Sequence, residues 1–109
     1  LYWSGKNLAR KYPLDSKEEI VQFFARAGWG NLTVDTEGKN KINFSLVPGT
    51  LPRKKREQAA SFELETGFLA QQIEQLKGCF ADANSSVKRG RTVSITVEWD
   101  QKDLVKATR

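Results

Sequence analysis

Apolar residues recur along this chain with two different periods. Leu1, Gly5, Leu8 and Tyr12 fall at helical spacing, and a period near 3.6 puts them on one face of a helix over 1–12. Pro13 ends it, because the residue before a proline avoids the α region. The stretch "DSKEEI" restarts a helix over 16–27, with Ser16 and Glu19 at capping-box spacing and Ile20, Phe23, Phe24 and Ala27 as the buried stripe. The period then drops to two. Leu32 and Val34 alternate with polar residues in "NLTVDT", and Ile42, Phe44 and Leu46 do so in "KINFSL". "EGKN" (37–40) between them supplies a turn glycine, so the pair reads as a hairpin. Pro48 and Gly49 interrupt it, and residues 50–58 read as an irregular or edge segment.

Helical spacing returns at Phe62, Thr66, Leu69, Ile73 and Leu76. The same rhythm continues through Phe80, Ala83 and Val87, so one long helix over 62–87 is expected, with Gly78 inside it. The competing strand reading of Ala81, Ala83, Ser85 and Val87 offers side chains too small to anchor a sheet. Val93, Ile95, Val97 and Trp99 then alternate cleanly with polar residues over 92–99, a strand with one face buried and one wet. Residues 101–109 form a polar tail expected to fray. The elements give an α+β fold, a small antiparallel sheet packed on helices in the order α-α-β-β-α-β, as one domain over 1–100.

Composition narrows the chemistry. The 109 residues include no histidine and one cysteine. Absent histidine removes the commonest general base and the usual zinc and haem ligand. One cysteine cannot build a thiolate metal site within the chain, and no catalytic or metal-binding residue is assigned. Cys79, at the edge of the apolar stripe, reads as a small core residue. Asp15, Glu18, Glu19, Glu63 and Glu65 sit in first helical turns, where they complement the helix dipole. The net charge is +5, concentrated in "RKKR" (53–56), which reads as a solvated loop. The aromatic residues are not interleaved with that block, as single-strand stacking would require. No apolar run approaches the ~20 residues of a membrane span, and the lone cysteine fits a cytoplasmic protein.

Helix 1–12 carries surplus apolar surface, since Tyr2, Trp3 and Ala9 widen its stripe. A lone surface helix needs an apolar stripe only about 100° wide. Trp3 and Tyr12 are therefore the candidate interface residues, and Gly5 admits another backbone.

Four stretches carry a family resemblance: "YWSGKNLARKYPL" (2–14), "EEIVQFFARAGWGNLTV" (18–34), "FELETGFLAQQIEQL" (62–76) with Cys79 beyond it, and "TVEWD" (96–100). Together they resemble the YslB-like family of small uncharacterised bacterial proteins across nearly the whole chain. That family is similar, more distantly, to a superfamily of ligand-sensing domains. It includes four-vinyl-reductase-type sensors, core subunits of the transport-particle (TRAPP) tethering complex and haem-based nitric-oxide sensors. The resemblance implies the same element order with a further helix ahead of Leu1, dimerisation through N-terminal helices, and a ligand held between helices and sheet. Functional residues do not carry over. The haem branch needs a histidine, the vinyl-reductase branch often carries several cysteines after the long helix where this chain has only Cys79 nearby, and Cys79 is not placed at the acylated position of the tethering subunits.

The expectation is a non-enzymatic cytoplasmic module without a cofactor, forming a homodimer and binding an apolar small molecule or a protein partner. The alternative is a nucleic-acid or anionic-surface binder acting through 53–56, without sequence specificity.

Overall fold

The computed structural model describes residues 1–49, 62–88, 90 and 92–105. The basic block 53–56 and the segment around it lie outside these residues. The elements are α1 (Tyr2–Lys11), α2 (Lys17–Arg26), β1 (Gly30–Glu37), β2 (Lys41–Pro48), α3 (Glu63–Lys77), β3 (Cys79–Val87) and β4 (Val93–Leu104). The four strands form one antiparallel sheet in the order β1-β2-β4-β3. The expected α+β class and the order α-α-β-β-α-β are found, with one strand more than the sequence led us to expect. Among the described residues no helix is long and apolar enough to cross a membrane.

The helix expected over 62–87 ends at Lys77. Gly78 caps it with φ 73° and ψ 18°, a left-handed conformation. Residues 79–87 are β3, the strand reading that small side chains had argued against. They do not anchor the sheet; they form its edge, where the helices come close. Phe80, placed in the buried stripe by the helical rhythm, is half exposed. The tail is also corrected in part. β4 runs on to Leu104, which pairs with Cys79, and Gln101 Nε2 donates to Lys39 O at 2.6 Å.

One face of the sheet is buried. Leu32, Ile42, Phe44, Leu46, Val93, Ile95, Val97 and Trp99 lie beneath the helices. The other face is polar. There Asn43 Nδ2 donates to Thr36 Oγ1 and Thr96 Oγ1 donates to Asn43 Oδ1, each at 2.7 Å. Asp35 bulges out of the β1–β2 register and accepts from Ser45 Oγ.

α3 is the central element, and its residues Glu65 to Glu74 are all buried. The 4-3-4-3 stripe in the sequence is only its sheet-facing side. On a second side Phe68 stacks on Phe23 of α2, with ring centroids 4.7 Å apart. On a third side α1 lies unusually close. A Cβ built on Gly5 would stand 2.0 Å from Leu64 O, and one on Gly67 would stand 1.9 Å from Tyr2 O. Each helix therefore presents a glycine to the other's backbone. This contact rotates α1 from its expected setting. Gly5, Lys6 and Ala9 are buried, while Leu1 and Tyr12 of the predicted stripe are exposed. The backbone that Gly5 admits is α3 of the same chain.

Candidate functional site

A cleft of about 460 Å³ opens between the start of α2, the end of α3 and β1. Local chemistry sets each wall. Ser16 caps α2, with Glu19 N–H donating to its Oγ at 3.2 Å and Asp15 N–H donating back to Glu19 Oε1 at 2.8 Å. The first bond satisfies a donor that the helix start leaves open, and the second ties the residue ahead of the cap to the first turn. The linker into α2 is held from below by Gln72, which is fully buried on α3. Leu14 N–H donates to Gln72 Oε1 at 3.1 Å, and Gln72 Nε2 donates to Tyr12 O at 2.8 Å. The wall carrying Asp15, Ser16, Lys17 and Glu18 is thus fixed to the central helix.

Val21, Val34, Ile73 and Leu76 form an apolar floor. At the rim Lys17 of α2 and Lys77 of α3 converge on Glu37 at the end of β1. Glu37 Oε2 lies 3.1 Å from Lys17 Nζ and 3.7 Å from Lys77 Nζ. Lys77 Nζ also stands 5.3 Å from the centre of the Trp99 ring, within cation–π reach. An apolar floor with a few converging polar groups is the usual construction of a small-molecule site, and the volume lies within the usual range.

A second polar cluster lies where α1 crosses the edge of β3. Lys88 N–H donates to Thr92 O, closing the β3–β4 hairpin. Odd-numbered residues of β3 therefore turn their backbone groups to the open edge. Side chains meet two of them: Ala81 N–H donates to Glu74 Oε1 and Ala83 N–H to Tyr2 Oη, both at 3.1 Å. Lys6 Nζ sits 4.0 Å from Glu74 Oε1 with both side chains buried. Burial raises the Tyr2 pKa, the Ala83 hydrogen bond opposes this, and the Asp82 and Glu74 charges add to the rise. The cluster has a structural role, since unpaired edge groups invite aggregation.

The residues singled out in the sequence are scattered. Trp3 on α1 and Tyr12 just past its end are 66% and 55% exposed, away from the cleft lining. Cys79 is in the core, as expected, with its Sγ near the carbonyls of Lys77 and Gln101. Asp15 and Glu18 line the cleft, and Glu63 is exposed. Glu65 is buried, and burial holds its carboxyl above the usual carboxylate range. Its Oε1 and Gln71 Oε1 find no hydrogen-bond partner among the described residues. Sequence reasoning missed Lys6, Gln72, Glu74, Lys77 and Glu37. For the α3 residues a signal existed: Gly67, Phe68 and Ala70 lie beside the stripe of Leu69, Ile73 and Leu76, so small and apolar residues spread beyond one side, as in a helix buried on several sides.

The fold is shared with a crystal structure of a vinyl-4-reductase family protein from Methanocaldococcus jannaschii. The TM-score is 0.73 at 15% identity, over 91% of this chain and 67% of that one. At that identity the likeness concerns the fold alone. The nearer likeness is in sequence. The chain is 44% identical over 107 residues to "Uncharacterized protein YslB" of Bacillus subtilis (strain 168), spanning 96% of this chain and 72% of that protein. The profile of the family described as "Protein of unknown function (DUF2507)" matches residues 1–98, and the chain belongs to that family.

Proposed function

We propose that this protein is a non-enzymatic, cytoplasmic ligand-sensing module whose site is the cleft between α2, α3 and β1, and whose ligand is a small, largely apolar molecule. The observation that carries the reading is the floor of Val21, Val34, Ile73 and Leu76 beneath a polar rim. The shared fold of a vinyl-4-reductase family protein supports it as an analogy of architecture. A non-catalytic role is favoured because, among the described residues, the groups with displaced titration, Tyr2 and Glu65, lie away from the cleft lining. Perturbed groups gathered in a cleft are what an active site would offer. The test is a thermal-shift screen with small apolar compounds on the wild type and on Val34→Trp. Val34 is 37% exposed, so the indole fills the cleft without entering the core. Compounds that raise the wild-type Tm and not the variant's support the reading. No stabilising compound, or equal effects on both proteins, contradicts it.

The same module is proposed to form a homodimer through α1. Trp3 is 66% exposed on α1, with Leu1 and Tyr12 exposed at its two ends, and a large exposed aromatic side chain is the kind of residue that anchors an interface. Trp3→Ala is expected to sediment as a monomer with little change in the stability of the chain's own core. Unchanged sedimentation of a dimeric protein would refute the assignment.

A further inference from the structure

Resting on the cleft reading above, we infer that the ligand is an amphipathic carboxylate, its apolar body on the floor and its head between Lys17 and Lys77. The observation is the use made of Glu37. A single oxygen, Glu37 Oε2, faces both ammonium groups, yet the lysines come from different helices and Glu37 from the end of β1. Both lysines line the cleft, and Glu37 does not. Only Lys17 is within hydrogen-bonding distance of that oxygen. Lys77 stands off at 3.7 Å, and its other charge-compensating neighbour is the Trp99 ring.

An ammonium has three donors, so this pair has capacity that Glu37 does not use. The lysine side chains are 35% and 34% exposed, so each has lost much of its water. Partial desolvation strengthens attraction to a counter-charge. Two such cations converging at the mouth of an apolar cleft define a seat for one carboxylate. Glu37, 37% exposed, occupies it as an internal anion and can swing into solvent. Asp15 and Glu18 also line the cleft. With Glu37 swung away they balance the two lysines charge for charge, so a singly charged head meets less repulsion than a dianion.

The proposal makes Glu37 a competitor of the ligand, and that sets the test. Octanoate, octanol and octylammonium are titrated calorimetrically into the wild type, Glu37→Gln and the double variant Lys17→Gln/Lys77→Gln, with methyl NMR following Val21, Val34, Ile73 and Leu76. Octanoate should bind the wild type about fivefold tighter than octanol, and octylammonium weakest. Glu37→Gln should tighten octanoate about three- to fivefold and leave octanol unchanged. The double variant should erase the preference for octanoate. If octanol matches octanoate, or Glu37→Gln leaves octanoate affinity unaltered, the head-group assignment is overturned while the cleft reading stands. If none of the three shifts the cleft methyls, both fall. Should the double variant not fold, the conservative Glu37→Gln comparison still decides.

Discussion

Replacing Gly67 by alanine sets two principles against each other. In an ordinary helix interior this change stabilises by about 1 kcal/mol. Here the new methyl carbon would stand 1.9 Å from the carbonyl oxygen of Tyr2 and 2.8 Å from its carbon. An ordinary contact begins near 3.4 Å, so α1 must retreat by about 1.5 Å. The obstacle is backbone, which cannot rotate aside. Overpacking of a tight contact costs about 1–3 kcal/mol and occasionally more. The retreat also draws Tyr2 Oη from Ala83 N–H and Lys6 from Glu74, baring part of the β3 edge. After the propensity gain, a net loss of about 2 kcal/mol or more is expected, or roughly 8 °C in Tm for a domain of this size. Scanning calorimetry gives the Tm, and hydrogen exchange at the Ala83 amide reports the edge. Gly5→Ala should behave alike, its methyl meeting Leu64 O at 2.0 Å. The double variant should lose less than the sum, since one displacement relieves both clashes. A Tm that rises, or an Ala83 amide whose protection does not change, would refute the close packing of α1 on α3.

Gly78→Ala meets no atom within 4 Å, so its effect comes from the left-handed φ alone: a loss of about 1 kcal/mol, less for Gly78→Asn. A rise in Tm would mean that the helix runs on. Glu65→Gln tests the buried carboxyl. Its folded pKa is raised by burial, so the neutral form is favoured and no penalty arises below the ordinary carboxylate range. As pH rises through the folded value, charging the carboxyl erodes stability. The glutamine variant should therefore melt higher than wild type near pH 7 and alike near pH 4, as read from Tm against pH. Equal pH profiles would contradict this.

Much of the architecture was legible because local signals agreed with tertiary context. Ser16 and Glu19 form the capping pair their spacing indicated. Val93, Ile95, Val97 and Trp99 are buried on one face of β4, as strict alternation required. β3 was misread because its inward residues are small for a reason that lies elsewhere in the chain. Ala81 and Ala83 sit where Glu74 of α3 and Tyr2 of α1 reach their amides. Small side chains there admit the helices, and by coincidence they kept helical phase with the stripe before Gly78. The displaced face of α1 has the same origin. Gly5 looked like an opening for another molecule, whereas what lies against it is the backbone of Leu64 and Phe68 in the same chain. The cleft could not be read at all. Its floor draws on α2, β1 and α3, and its rim depends on where the hairpin leaves Glu37.

The claim that this cleft holds a ligand is tested most directly by native mass spectrometry of the protein purified from its own host, beside Val34→Trp prepared in the same way. The account predicts that the wild type carries a small-molecule adduct that mild activation releases, and that the cleft-filled variant is bare. A bare wild type, or an adduct retained in full by Val34→Trp, would contradict it.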